Sequence, residues 1–106
     1  MGLINDRRLE LHEKLCDILG SRNVYFQPPN GTQIQYPCII YKRDSSSADY
    51  ADNKTYLFTP EYQIMYISTS SINDVVENLL EEFSLIRFIR HYTADGLSHD
   101  ILNLFY

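Results

Sequence analysis

Two histidines with acidic neighbours flank an Asp-Gly pair near the end of the chain. His91 and His99 lie on either side of it, and Asp95 and Asp100 lie close to them in the sequence. A histidine beside a carboxylate is suited to proton transfer or to metal binding. A working site would also need a nucleophile or a third ligand in a cleft, and the sequence offers no recognisable one. We therefore expect two solvated histidines at strand ends, with no catalytic residue.

A second pair, His12 and Cys16, has the four-residue spacing of two ligands on one helical face. Two ligands make a weak metal site, because zinc sites in proteins use three or four. Cys38 is the only other cysteine, so the chain can form at most one disulfide. We expect both thiols to be reduced, buried and inert, and we expect neither a metal nor a cofactor.

Serine and aspartate are concentrated in one stretch, DSSSADYADN at residues 44–53. Asp44, Asp49 and Asp52 lack the alternating ligands, central glycine and final glutamate of a calcium loop. The serines at 45–47 lack the Gly-x-Ser-x-Gly context of a nucleophile elbow. A glycine-rich phosphate loop is also missing from a chain with only four glycines. These absences predict that the protein is not an enzyme.

The same stretch separates two strand-like runs, 37–43 and 54–68, and it is longer than an ordinary hairpin connection. Ordering it costs roughly 10 to 20 kcal/mol, and its small polar side chains offer little apolar area in return. We therefore predict a segment that is mobile alone and acts as a contact arm for a partner, with Tyr50 as its anchor. The predicted interaction residues are Asp44, Ser45, Ser46, Ser47, Ala48, Asp49, Tyr50, Ala51, Asp52 and Asn53.

Composition limits the classes of function. The chain has 106 residues, which suits a single domain spanning residues 1–106, and its hydrophobic content of 44% is ordinary for a globular protein. The net charge of −5 argues against gripping nucleic acid phosphates, although DNA could pass nearby without adhering. No apolar run is long enough for a membrane helix, and the charged residues at the start follow the apolar ones, the reverse of a secretory signal. We therefore expect a cytoplasmic location in the cell that makes the protein. The chain has nine tyrosines, and a tyrosine suits a partly hydrated protein interface because its ring is apolar and its hydroxyl can form hydrogen bonds. Further interface candidates are Tyr25, Tyr41 and Tyr106.

Apolar periodicity predicts two amphipathic helices. The first is capped by Asn5 or Asp6 and ends at Gly20, and its apolar stripe contains Leu11, Leu15, Ile18 and Leu19. The second is capped by Ser70 or Ser71, and its stripe contains Ile72, Val75, Val76, Leu79, Leu80 and Phe83. Each stripe predicts a helix that packs one face on a core and exposes a charged back.

Between and after the helices, the pattern favours strands. A short strand at 23–27 precedes a strand at 38–43, and a terminal hairpin joins strands at 86–93 and 99–105 through the Asp-Gly pair. In the long run at 54–68, Pro60 predicts a bulge or an edge. Alternate residues of a strand point to the same face of a sheet, and one such set in this run should face the helices. Its members are Tyr56, Phe58, Tyr62, Ile64 and Tyr66. The predicted fold class is an α+β two-layer sandwich, a mainly antiparallel sheet with two helices on one face.

Several segments together resemble the small tail-completion proteins of tailed bacteriophages and prophages. The resemblance covers most of the chain and is carried by apolar and aromatic patterns rather than by catalytic residues. The segments are LCDILG at 15–20, VYFQPP at 24–29, YPCIIYKR at 36–43, YADNK at 50–54 and HYTADGLSHD at 91–100. The order of elements is also similar to that of tail-terminator proteins of the lambda type.

The resemblance implies a structural virion protein in the tail or neck. Such a protein would form a ring of its own copies, expected to be a hexamer, that caps the tail-tube protein and docks to the head connector protein. DNA would pass through the ring without specific binding, and the segment at 44–53 would be the arm that meets neighbours. Two alternatives stay open: a head-completion, or stopper, protein, and a phage-encoded module that binds a host protein through a tyrosine-rich sheet edge.

Overall fold

One five-stranded sheet carries two helices in this computed structural model, which describes residues 3–44, 59–70 and 74–106. The side chains of residues 3–5 are not part of that description. The elements are α1 (Leu3–Leu19), β1 (Val24–Phe26), β2 (Cys38–Arg43), β3 (Glu61–Ser68), α2 (Val75–Glu82), β4 (Ile86–Ala94) and β5 (Leu97–Phe105). The predicted α+β two-layer sandwich is confirmed.

The strands lie in the order β1-β2-β3-β5-β4, and every neighbouring pair except β1 with β2 is antiparallel. The short β1 runs parallel to β2, so the sheet is mixed. The terminal hairpin turns through Asp95 and Gly96, whose φ angles of 55° and 74° belong to the tight two-residue turn that Asp-Gly favours. The hairpin prediction is confirmed, and both strands extend closer to the turn than expected.

The core lies between the helices and one face of the sheet. Its largest fully buried side chains include Tyr41, Tyr62 and Ile64 from the central strands. The predicted parity of the long strand is confirmed for its described members, because Tyr62, Ile64 and Tyr66 are all buried in this core. Pro60, however, directly precedes β3 and interrupts no described strand. A register irregularity occurs instead in the edge strand β4.

Helix α1 begins at Leu3, earlier than predicted, so Asp6 is an acidic residue of the first turn rather than a cap. A carboxylate there is favoured by the positive end of the helix dipole. Leu11 and Leu15 are fully buried, as their spacing predicted. The helix ends before Gly20, whose φ of +87° is a left-handed conformation that glycine adopts without a steric penalty.

Helix α2 begins later than predicted, at Val75, with Asp74 in the cap position and without a capping hydrogen bond from its side chain. The candidate cap Ser71 and the stripe residue Ile72 lie outside the described residues. Leu79 and Phe83 are buried as predicted, but Leu80 is 40% exposed. Leu80 lies about 100° from Leu79 around the helix axis, which places it at the border of the buried stripe.

No helix within the described ranges combines the length and the apolarity needed to cross a membrane.

Candidate functional site

The predicted interaction segment leaves the sheet between the end of β2 and the start of β3. Arg43 is paired with Tyr62, and the backbone N–H of Asp44 donates to the carbonyl of Glu61 at 2.8 Å. The two strands are therefore held together up to the point where the connection begins. Of the predicted interaction residues, only Asp44 is placed, and 45–53 lie outside the described residues.

Tyr106 ties this point to the helices. Its N–H donates to the carbonyl of Pro60 at 3.1 Å, and its own carbonyl accepts two hydrogen bonds from the Arg7 guanidinium, one from Nε at 2.7 Å and one from Nη2. The Arg7 guanidinium lies 4.8 Å from the centre of the Tyr106 ring, and that ring packs edge-on against Phe83. Burial, followed by a hydrogen bond and charge interaction with Glu10, raises the pKa of the Tyr106 hydroxyl to about 12.

A buried carboxylate braces the same end of the sheet. Glu61 is only 8% exposed and accepts a hydrogen bond from Nδ2 of Asn103 at 3.0 Å. The other side-chain polar atom of Asn103, Oδ1, is buried and without a partner. Buried polar groups held in this way resist movement, because leaving a partner unsatisfied costs about 1 to 3 kcal/mol. We call the hydrogen-bonded group of Arg7, Asp44, Pro60, Glu61 and Tyr106 the loop base.

Exposed apolar side chains cluster beside the loop base and along the adjacent sheet edge. Among the described residues, seven large apolar side chains are exposed, and five of them lie on α2, β4 and the ends of the terminal hairpin. Patches of this kind on a small domain commonly mark protein contacts. We call these five residues the β4 apolar band: Leu80, Leu85, Phe88, Ile89 and Phe105.

Two members of the band adjoin the loop base directly. The Phe105 N–H donates to the Leu85 carbonyl at 2.9 Å, and Phe105 is the register partner of Glu61 on β3. The sequence pattern did not predict this band, because exposure depends on which strand lies at the edge of the sheet. The run RFIR at 87–90 carried a usable signal, since it breaks strict polar-apolar alternation at the place where the register of β4 shifts, between Phe88 and Arg90.

The terminal hairpin does not bring its two histidines together. His91 is opposite Asp100 and donates from Nδ1 to its Oδ1 at 2.6 Å, whereas His99 is opposite Tyr92 and stacks on that ring at 4.7 Å. His99 and Asp100 are consecutive on β5, so they point to opposite faces of the sheet. His99 Nδ1 donates to the nearby carbonyl of Leu97. The two histidines therefore cannot share one centre. His91 is exposed, as expected of a solvated histidine, whereas His99 is half-buried.

His12 also has a structural contact. Its Nδ1 lies 2.8 Å from the hydroxyl of Tyr41, to which Nη1 of Arg8 also donates at 3.4 Å. Burial, with the positive charges of Arg8 and Arg22, lowers the pKa of His12, which favours a neutral ring that accepts the Tyr41 proton. Cys16 is buried, and burial raises the pKa of its thiol. Both cysteines are buried and unbridged, as expected.

The candidate interface tyrosines have different outcomes. Tyr41 is fully buried in the core between Phe26 and Tyr62, so its proposed role in an interface is wrong. Tyr25 is half-buried, and its hydroxyl accepts a hydrogen bond from the Gln35 N–H at 3.3 Å. Tyr106 belongs to the loop base, and Tyr50 lies outside the described residues.

An acidic groove runs between the two helices. It has a volume of about 470 Å³ and is lined by Asp17, Ile18, Asn78, Glu81 and Glu82. We call it the helix groove. One cation reaches it, because Nζ of Lys14 lies 3.4 Å from Oε2 of Glu82. Within ranges 3–44, 59–70 and 74–106, no cluster of three or more His, Cys, Asp or Glu side chains could hold a metal ion.

Comparison with known protein families, curated proteins and solved structures finds no match. The function is therefore inferred from the residues and from the geometry of the described part of the chain.

Proposed function

We propose that this chain is a structural protein of a tailed phage or prophage virion, a ring-forming protein that terminates the tail tube and joins it to the head connector. The resemblance of five sequence segments to tail-completion proteins supports the proposal. The acidic balance of the chain supports it further, because a negatively charged channel repels the phosphates of DNA and lets the duplex slide through.

The observation that carries the proposal is the rigid base of a long polar connection. Asp44 and Glu61 hold the two strands together, while Tyr106 links Pro60 to Arg7 on α1. A segment with little apolar area is expected to become ordered only when a partner holds it. A braced base limits the entropy lost on docking to the segment itself, so this arrangement suits an arm that becomes ordered during assembly.

Two leucines with similar exposure offer a matched test. Leu85 is 61% exposed beside the loop base, and Leu9 is 51% exposed on α1. We expect the wild-type chain and Leu9→Gln to decorate the ends of purified tail tubes in negative-stain images. Leu85→Gln should do so at least several-fold less often, because the contact loses apolar area. A chain that never binds tube ends and is absent from purified virions would refute the proposal.

Phage particles assembled without this chain would show whether it is a terminator or a stopper protein. Loss of a terminator leaves tube growth without a stop, so tails of irregular length accumulate. Loss of a stopper leaves filled heads that release their DNA before tails attach. Electron microscopy of particles made without this chain therefore distinguishes the two structural roles.

A second candidate function is a module that binds a host protein. The β4 apolar band favours it, because several exposed large apolar side chains near one sheet edge suit a protein partner, whether viral or cellular. A pull-down from host lysate that recovers one stoichiometric host protein, together with the absence of this chain from virions, would favour this second function.

A further inference from the structure

The molecule carries opposite charges on two separate surfaces. Strand β4 contains Arg87, Arg90 and His91 and no acidic residue. Helix α2 contains Glu77, Glu81 and Glu82 and no basic residue. The strand lies at the free edge of the sheet, and the acidic residues lie on the helical layer. Arg87 and Arg90 are paired with β5 residues that alternate with the core residues Leu102 and Leu104, so both arginines lie on the face of the sheet away from the helices. They could therefore meet the helix groove only on another copy.

The basic strand also carries the exposed apolar band. Phe88 and Ile89 are each 41% exposed on the strand itself. Glu82 faces α1, where it meets Lys14. Leu80 is about 160° away from Glu82 around the helix axis, on the side of α2 that faces away from α1. Since α2 contacts β4, the band wraps from the outer side of α2 around the sheet edge.

The β4 edge is poorly suited to pairing with an additional strand from another chain. The register shift between Phe88 and Arg90 interrupts the regular row of backbone donors and acceptors that an incoming strand would need. Pairing β4 with β4 of a second copy would also place Arg87 and Arg90 close to their own equivalents, and like charges across strands are destabilising. The edge is therefore better suited to side-chain docking against an acidic, partly apolar surface.

We propose that the β4 edge of one copy docks against the helix groove of a second copy of this chain. Arg87 and Arg90 meet the carboxylates of Asp17 and Glu81, while Phe88 and Ile89, the members of the band on β4 itself, cover Ile18 and the neighbouring helix surface. This inference rests on the proposed function, because it names the contact by which the ring forms. The contact joins two different surfaces, so a pair of copies keeps one free β4 edge and one free helix groove, and the chain of contacts can close into a ring.

Sedimentation of the full chain tests the contact. At about 50 mM salt the wild type should self-associate, and at about 500 mM salt the association should weaken because the charges are screened. Arg87→Glu should weaken association about tenfold. Lys42→Glu is the matched control: Lys42 is also an exposed strand residue, the charge change is identical, and association should stay at the wild-type level. Circular dichroism and thermal unfolding would verify that each variant is folded.

Complementary variants make the test specific. Glu81→Lys alone should also lose association, and an equal mixture of Arg87→Glu with Glu81→Lys should regain it, because the reversed charges then face each other. A Glu81→Lys variant that assembles like the wild type would overturn the inference, as would a wild type that stays monomeric throughout. Neither result would remove the proposed virion role, which is read separately from tube-end binding and from the protein content of virions.

Discussion

Replacing the connection between β2 and β3 tests whether the segment at 44–53 serves a partner rather than its own domain. The change substitutes a four-residue Asn/Gly/Ser turn for residues 45–53 and leaves 54–58, where Tyr56 and Phe58 are predicted to face the helices, in place. It keeps Asp44, whose N–H bonds to the Glu61 carbonyl, and Thr59 with Pro60, whose carbonyl bonds to the Tyr106 N–H. Both of these backbone hydrogen bonds are thereby retained.

The expected magnitude follows from loop closure. The closure cost grows as about 1.5 RT times the logarithm of loop length, so shortening the connection at 45–60 to roughly 11 residues lowers it by about 0.3 kcal/mol. If the segment packs on nothing in its own domain, the free energy of unfolding should stay the same or rise by that amount. Binding to tail tubes should be lost, because the arm is gone.

Urea denaturation followed by circular dichroism measures the first quantity, and negative-stain counting of decorated tube ends measures the second. A scrambled segment of the same composition at 45–53 is the matched control for length and charge. A loss of several kcal/mol on shortening would refute the reasoning, because it would mean that the segment packs against its own domain. Full tube binding by the shortened chain would refute the role as an arm.

Further changes test the core and its pH dependence. Tyr41→Phe removes the hydroxyl bonded to His12 at 2.8 Å and should lower the free energy of unfolding by about 1 kcal/mol. Tyr66→Phe, also buried, is the control, and urea curves that match for the two variants would contradict this assignment. Burial raises the pKa of the Cys38 thiol from its ordinary value of 9.0 to about 11. Its contribution to the free energy of unfolding is therefore complete below pH 9, and it is lost as the pH rises towards 11, because the unfolded chain then loses the thiol proton first. The stability advantage of wild type over Cys38→Ala should therefore shrink by about 2 to 3 kcal/mol between pH 8 and pH 11.5; parallel profiles would disprove this.

The predicted elements mostly match the observed ones, because they depend on local patterns. The spacing of Leu11 and Leu15 predicts a helical stripe, and both side chains are fully buried. The Asp95-Gly96 pair predicts a tight hairpin, and positive φ angles occur at both positions. Element ends were less predictable, since caps such as Asp74 compete with nearby serines that have similar propensities.

The candidate site was only partly predictable. The sequence predicted an interaction segment at 44–53, and the structure places its first residue, Asp44, at a braced base. The exposed band that includes Leu85 and Phe105 was missed, because exposure depends on which strand ends up at the sheet edge. Tyr41 was wrongly assigned to an interface for the same reason, since its strand became central.

By itself, the sequence determined where helices and strands form, which parity of β3 is apolar and which turn closes the last hairpin. These properties follow from interactions among residues a few positions apart, so they can be read along the chain. Only the tertiary structure decided that β5 lies between β3 and β4, that β1 runs parallel to β2, and that His91 and His99 point to opposite faces. Strand order, strand direction and the facing of these side chains depend on which distant segments pack best against each other, so they are fixed only when the whole chain packs.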